Sequence, residues 1–177
     1  MAITKIQSES LNLADTYAFT GTVTGAGGVN TPYFSAHKTS NQDINNGASA
    51  KLTFEAVSDE STSGVFDLTN NKFTATEAGK YLFQFKVTFF DTANQIYRAD
   101  AYFYQNGSDK RKNIFFDNAG SIREVVLTET WIQNVSVNDY FEMYAFLNTN
   151  DGGSCAIAGN ADSSAKETVF SAMKIIE

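Results

Sequence analysis

The stretch GKYLFQFKVTFF, residues 79–90, decides the fold class. Every second residue from Tyr81 to Phe89 is aromatic or β-branched, whereas Gln84 and Lys86 fall between them. Successive side chains of a strand point to opposite faces, so this alternation gives one apolar face and one polar face. A helix would scatter the same aromatic residues around its circumference. The stretch therefore predicts a half-buried β-strand.

Nine further runs have strand-like composition, and turn residues separate them. They are residues 33–38, 50–57, 65–68, 72–76, 99–104, 113–116, 125–135, 140–147 and 168–175. Asn70 with Asn71, and Asn106 with Gly107, are typical of tight turns between paired strands. No amphipathic helical pattern is longer than two turns. Ten short strands predict an all-β chain, folded as an antiparallel sandwich or jelly roll.

The composition excludes several functional classes. The chain has 177 residues and a formal net charge of −7, and 42% of its residues are hydrophobic, which is typical of one globular domain. Nucleic-acid binding needs a basic surface, and the acidic balance argues against it. The single Cys and the single His exclude an internal disulfide, a CxxC zinc site and a His-rich metal centre. No apolar run is typical of a secretory signal or a membrane span, so we expect synthesis in a cytosol.

Three of the runs, residues 101–104, 114–116 and 140–147, are apolar on both faces. A sandwich strand needs only one buried face, so something has to cover the second. One explanation is a strand deep in the core beneath a loop. The explanation we favour is a second copy of the chain, because most soluble oligomers are symmetric homo-oligomers. The candidate interface residues are Tyr140, Tyr144, Phe146, Tyr102 and Tyr104.

Six segments of the chain form a pattern and follow one another in a fixed order. They are FSA at 34–36, KLTF at 51–54, FDLTNNKFTATEAGKYLFQFKV at 66–87, YQNGSDKRK at 104–112, NVSVNDYFEMYA at 134–145 and VFSAMKII at 169–176. Together, in this order, they resemble the tumour-necrosis-factor/complement globular-head superfamily. The most specific match is Lys72 with Phe73, followed by Gly79, Tyr81 and Phe83. The resemblance covers residues 33–177 and implies a ten-stranded jelly roll that assembles as a homotrimer.

Residues 1–32 are predicted to form a separate N-terminal arm. Bulky apolar residues are scarce in it, and GTVTGAGGVNTP near its end is typical of a turn or linker. The leader ITKIQSESLNLADTYAFTGTVTGAGG resembles the N-terminal segment of structural proteins of marine bacteriophages. That resemblance implies a virion protein assembled in the host cytoplasm. The arm would attach it to other virion proteins, with Tyr17, Phe19 and Val23 as candidate attachment residues in one short strand.

The sequence contains no arrangement typical of an enzyme. His37 has no placeable nucleophile and acid beside it, and we expect it at the surface or in an interface. Cys155, in GGSCAIAG, is expected to be a buried apolar filler rather than a nucleophile. We therefore predict no catalysis and no cofactor.

Two weaker binding signals remain. Asp151 lies in the glycine-rich loop NTNDGGSC and Asp162 follows it, and Asn148 and Asn150 add oxygen ligands of the kind that calcium prefers. The EF-hand spacing is absent, so a solvated polar turn is favoured over a calcium site. The basic run 110–112 follows a hairpin turn and is expected to be solvated, although it suits an anionic lipopolysaccharide or an acidic neighbouring subunit.

Two non-enzymatic functions are consistent with these features. The first, which we favour, is a trimeric knob of a bacteriophage tail fibre or spike that contacts a glycan or protein of the bacterial surface. The second is a capsid decoration protein that stabilises the phage head. A secreted animal recognition protein is a weaker third possibility, because the chain shows no secretory signal or collagen-like run.

Overall fold

The computed structural model describes residues 29–93, 95–161 and 166–175, and the regular structure within those ranges is entirely β. Its thirteen strands are β1 (Tyr33–His37), β2 (Gln42–Ile44), β3 (Ser49–Lys51), β4 (Ala56–Glu60), β5 (Phe66–Asp67), β6 (Lys72–Thr74), β7 (Gly79–Phe90), β8 (Ile96–Gln105), β9 (Ser108–Phe116), β10 (Glu124–Val135), β11 (Tyr140–Thr149), β12 (Cys155–Ile157) and β13 (Val169–Lys174). The described part of the chain contains no helix able to cross a membrane.

The strands form two antiparallel sheets. At the centre of the first sheet, β7 pairs along its whole length with β10, and it also pairs with β13 and, near its C-terminal end, with β12. β13 continues the sheet to β1 and β4, and β12 continues it to β2. The second sheet has the order β5-β6-β11-β8-β9, and β3 also pairs with β11. Each sheet therefore turns one face toward the other and leaves one outer face.

An aromatic core fills the space between the sheets. Phe83, at the centre of β7, has its ring centroid 4.8 Å from that of Phe141 and 5.0 Å from that of Phe103, and both partners lie in the second sheet. The Trp131 ring stacks 5.5 Å from Phe83. Offset and edge-to-face pairs of this kind stabilise a core beyond the apolar area that they bury. The alternation along residues 79–90 predicted this inward face correctly.

Both predicted tight turns are present. Asn106 and Gly107 have φ of 54° and 77°, and the flanking residues Gln105 and Ser108 are paired, which makes a two-residue hairpin between β8 and β9. Asn71, between β5 and β6, has φ of 48°. A left-handed conformation of this kind is easiest for Gly and Asn, which is why these residues mark the turns.

The described residues form thirteen strands rather than the predicted ten. The predicted strand 50–57 is two strands, because β3 pairs with β11 in the second sheet and β4 pairs with β1 in the first. Residues 52–55 cross between the sheets, with Leu52 and Phe54 buried in the core. Two three-residue strands, β2 and β12, were also missed; they pair with each other at the end of β7.

Candidate functional site

The five residues predicted for the subunit interface lie together on one outer face. Tyr102, Tyr104, Tyr140, Tyr144 and Phe146 are half-buried on the outer side of the second sheet, and we call this surface the tyrosine face. They occupy even positions of β8 and β11, whereas the odd positions from 99 to 103 of β8 and from 141 to 149 of β11 are buried. Their role in an interface stays a prediction.

Cations of the same chain lie over the rings of the tyrosine face. The Lys112 ammonium is 5.4 Å from the centroid of the Tyr102 ring, and the Arg98 guanidinium is 5.0 Å from that of Phe146. Lys72 lies 5.4 Å from the Tyr140 ring. A cation over a ring face is attracted to the ring quadrupole, and its aliphatic stem shields apolar surface. The chain thus covers part of its own second apolar face, an arrangement that the sequence argument did not anticipate.

Ion pairs fix the polar groups of this face. Arg98 donates from Nε to Asp100 Oδ1 at 2.9 Å and from its terminal nitrogen to Oδ2 at 2.6 Å. The Tyr102 hydroxyl donates to Asp100 Oδ2 at 2.8 Å. Burial, followed by this hydrogen bond and the Asp100 charge, raises the pKa of Tyr102 to about 12. Lys51 Nζ pairs with Glu142 Oε1 at 2.6 Å, so Asp100 and Glu142 both have cationic partners, whereas Asp109, opposite Tyr104, has no ion pair within the described residues.

The tyrosine hydroxyls differ in their hydrogen bonding. Tyr104 and Tyr144 pack with ring centroids 4.3 Å apart. The Tyr102 hydroxyl has a hydrogen-bond partner, whereas the hydroxyls of Tyr104 and Tyr144 neither donate nor accept a hydrogen bond within the described residues. Burial is the main cause that raises the pKa of Tyr144, so its hydroxyl stays protonated and able to donate at neutral pH.

A partly exposed apolar row crosses the outer face of the first sheet. The cross-strand partners Tyr33, Met173, Leu82 and Ile132 run in that order across β1, β13, β7 and β10. Ile132 is 58% exposed. An open groove of about 540 Å³ is lined by Tyr33, Leu82 and Met173 of this row and by residues 29–31. We call these four side chains the apolar row. They are a second candidate contact surface, which the sequence argument missed because it weighed only strands that are apolar on both faces.

The two neighbouring edge strands carry further exposed apolar side chains. Ile114 and Phe116 on β9, and Val126 on β10, are each about half exposed. β9 and β10 do not form a ladder; Arg111 Nε bonds Glu129 Oε1 at 2.7 Å across the gap between the sheets. Single exposed apolar residues are ordinary, but several on one edge favour a contact surface.

Lys38 is buried, although the sequence argument gave it no role. It continues the inward alternation of Phe34 and Ala36, a signal that predicts burial. Its side chain is 0% exposed, and Nζ donates to Thr53 O and Oγ1, each at 2.9 Å, and to Glu55 Oε1 at 3.1 Å. Burial lowers the pKa of Lys38, which the Glu55 carboxylate opposes.

The prediction that His37 lies at the surface is wrong, because the residue is 7% exposed, whereas its alternative, a place in an interface, stays a prediction. The strand that carries it, β1, pairs with β13 on one side and β4 on the other. Burial, aided by the Lys166 charge, lowers the pKa of His37, and its Nδ1 has no hydrogen-bond partner within the described residues. The ring is therefore neutral at pH 7.

Cys155 is buried, as expected. Its thiol donates to the Phe90 carbonyl at 3.1 Å. Burial first, and the charge of Asp91 second, raise the pKa of Cys155 to about 12. A thiol with this pKa is almost entirely protonated at neutral pH, and the thiolate is the nucleophile, so the geometry does not favour catalysis.

The calcium candidates are only partly described. The Asp151 carboxylate accepts the Gly153 N–H at 2.9 Å within its own turn, and this bond lowers the pKa of Asp151. Asn150 Nδ2 donates instead to the Ala119 carbonyl at 3.0 Å. The described residues hold no group of three His, Cys, Asp or Glu side chains that could bind a metal. Asp162 lies outside the described residues, so a calcium site there stays a prediction.

Of the two remaining predictions, the one for the N-terminal arm lies outside the described residues and the one for the basic run lies within them. Residues 1–28, with Tyr17, Phe19 and Val23, lie outside the described residues, and their attachment role stays a prediction. The basic run 110–112 is exposed on β9, as expected. Arg111 is tied to Glu129 and lies over the Trp131 ring at 5.2 Å.

The two sheets and their strand order define a jelly-roll sandwich of the tumour-necrosis-factor/complement type. The chain is similar in structure to the globular domain of zebrafish complement 1qA protein, with a TM-score of 0.57 and 13% sequence identity. The match covers 82% of this chain and 98% of the zebrafish chain. At this identity the likeness shows the fold alone. No family model and no curated protein matches the sequence.

Proposed function

We propose that the protein is a non-enzymatic, homotrimeric virion protein of a bacteriophage and forms the knob of a tail fibre or spike. The observation that carries the trimer is the apolar row, in which Ile132 is 58% exposed and Tyr33, Leu82 and Met173 line an open groove. The virion context is supported by the resemblance of the N-terminal leader to phage structural proteins.

The positions of the two apolar surfaces favour a ring over an isologous dimer. The apolar row lies on the face of the first sheet, whereas Ile114 and Phe116 lie on an edge strand of the second. Two different surfaces that fit each other make a head-to-tail contact, and such contacts close into rings when the rotation allows it. We propose that the edge of one copy packs on the apolar row of the next and that three copies close the ring.

Charge insertion in the apolar row tests the assembly. Leu82→Glu would place an unpaired carboxylate in the proposed contact, at a cost of several kcal/mol. We expect light scattering at micromolar concentration to report monomers for this variant and trimers for the wild type. Leu68→Glu is the matched control, because Leu68 is exposed in the turn after β5, away from both surfaces. A trimer that survives Leu82→Glu would contradict this contact.

Particle composition tests the virion role. We expect a chain beginning at Thr31 to remain folded and trimeric but to be missing from purified phage particles, because the arm is proposed to attach it. Immunoelectron microscopy of particles with the full chain should place it at the tail. Labelling of the capsid, or normal incorporation of the shortened chain, would favour the capsid decoration role. Absence of the full chain from particles would refute the virion role.

A further inference from the structure

We propose that the tyrosine face binds an acidic polysaccharide, that is, a glycan bearing carboxylate or sulfate groups. This inference rests on the proposed contact with the host surface and names its ligand class. The proposed assembly uses the first sheet together with Ile114 and Phe116, which share this outer face at its Arg98 end. The tyrosines around Tyr102 and Tyr144, predicted from the sequence to contact a second copy, are proposed here to face a ligand instead.

A single cross-strand row gives the site its chemistry. Lys112, Tyr102, Tyr144 and Lys51 are successive partners across β9, β8, β11 and β3. Strands are about 4.8 Å apart, so two phenol rings lie between two ammonium groups over roughly 14 Å. A row of this length with rings in the middle and charge at its ends suits an extended oligomer of cyclic units better than a small ion.

The rings and hydroxyls suit sugar rings. The faces of aromatic rings are electronegative and attract the weakly positive C–H groups of a pyranose. The hydroxyls of Tyr104 and Tyr144 have no hydrogen-bond partner within the described residues and can donate to, or accept from, a sugar hydroxyl. An apolar protein partner would leave both hydroxyls unsatisfied in its interface, which costs free energy.

The charge of the face specifies an acidic glycan over a neutral one. Asp100 and Glu142 on this face are neutralised by Arg98 and Lys51, whereas Asp109, the cross-strand partner of Tyr104, is in no ion pair within the described residues. Lys112 lies over the Tyr102 ring, and neither it nor Lys110 on the same edge strand makes an ion pair within the described residues. Two lysines against one carboxylate leave the β9 side of the face with a small positive excess on a chain of net charge −7.

The number of free cations argues against a nucleic acid as the ligand. Duplex DNA carries one charge per about 1.7 Å, and its binding is driven by many phosphate contacts. Two free lysines cannot supply those contacts, and the acidic remainder of the protein repels a dense polyanion. A polysaccharide with spaced acidic groups requires fewer cations and offers more hydroxyls.

Binding to alginate, a polymer of uronic acids, tests the proposal, with neutral dextran and single-stranded DNA as comparison probes. We expect immobilised alginate to retain the wild-type protein in a salt-sensitive manner and dextran not to retain it. Lys112→Gln should weaken binding about tenfold, the loss typical of one charge-assisted hydrogen bond. Tyr104→Phe with Tyr144→Phe keeps both rings and should weaken binding by roughly fivefold.

Lys80→Gln is the matched control, because it removes the same charge from the first sheet and should leave binding unchanged. The proposal is overturned by no retention on alginate, by equal retention on DNA, or by variants of the tyrosine face that bind like the wild type. It is also overturned if Lys112→Gln changes the oligomeric mass, which would show that a second copy covers the face. Assembly and particle incorporation are measured separately, so their failure is distinguishable from failure of glycan binding.

Discussion

Replacement of Lys38 by Met would remove a buried cation while keeping a long unbranched side chain. The wild-type ammonium bonds three oxygens of Thr53 and Glu55 at 2.9–3.1 Å, and Gln42 Oε1 lies at 3.4 Å. After the change, the Thr53 carbonyl and Glu55 lose a charged donor. The Glu55 side chain is 33% exposed, however, and keeps the Thr39 N–H at 2.7 Å, so water and the backbone compensate in part.

The expected loss of stability follows from these opposing effects. Breaking a buried ion pair by removing one partner costs about 3–5 kcal/mol, whereas relief of the lysine desolvation and the exposure of Glu55 reduce that figure. We expect Lys38→Met to lower the free energy of unfolding by about 2–3 kcal/mol. In a double-mutant cycle with Glu55→Gln, the coupling should be about 1–2 kcal/mol.

Urea denaturation measures this loss. Trp131 is the single tryptophan and is buried, so its fluorescence reports unfolding of the core. Protomer concentration has to be held fixed, because self-association adds to apparent stability. A shift in midpoint with an unchanged slope identifies a change in stability. A loss below about 1 kcal/mol, or no coupling to Glu55→Gln, would refute the view that this ion pair holds the crossing segment 52–55 to β1.

Three further predictions concern single groups. Asp139, in the turn between β10 and β11, accepts hydrogen bonds from Asn106 Nδ2, Gln105 Nε2 and the Ser136 N–H at 2.7–2.9 Å. Asp139→Ala should therefore lower the free energy of unfolding in urea by about 1–3 kcal/mol, and an unchanged value would show that these bonds do not stabilise the two turns that they join. Cys155 should resist iodoacetamide at pH 8 until urea unfolds the protein, and alkylation of the native state would contradict its burial. Burial alone would raise the pKa values of Glu55 and Asp139, but their hydrogen bonds lower both below the ordinary 4.5 and 3.8, so the stabilisation is complete above those values and is lost as pH falls through the folded-state pKa. Glu55→Gln should therefore flatten the dependence of stability on pH between pH 5 and pH 3, and an unchanged acid profile would contradict this.

The sequence predicted the elements whose pattern is local. The strand Gly79–Phe90 has the predicted bounds, since each of its inward positions carries a bulky apolar side chain. Asn106 with Gly107 predicted a turn because positive φ restricts the choice of residues. These features depend on neighbouring residues only, so one sequence is sufficient to identify them.

Which strands pair with each other could not be predicted from the sequence. The alternation through residues 50–57 is the same before and after the crossing, because Leu52 and Phe54 face the core from the segment between the sheets. The alternation of apolar and polar residues does not show that β3 pairs with a strand of the second sheet and β4 with a strand of the first. β2 contains Gln42 and Asp43, and only its pairing with β12 makes it a strand.

The candidate surfaces were also predicted only where the sequence pattern is local. Two-sided apolar patterning singled out Tyr102 and Tyr144, which lie on the same outer face, but periodicity could not show that Lys112 from the next strand lies over a ring. The apolar row was missed because each of its strands contributes a single residue. A row of cross-strand partners becomes visible only when the register is known.

The mass of the wild-type protein in solution tests the central claim of self-association most directly. Sedimentation velocity at micromolar protomer concentration, in physiological salt, separates monomer, dimer and trimer without any substitution. The account predicts one species with three times the chain mass of 19.4 kDa, at the same sedimentation coefficient over a tenfold range of concentration. A single species of 19.4 kDa over that range would contradict it, since the apolar row would then stay uncovered in the native protein.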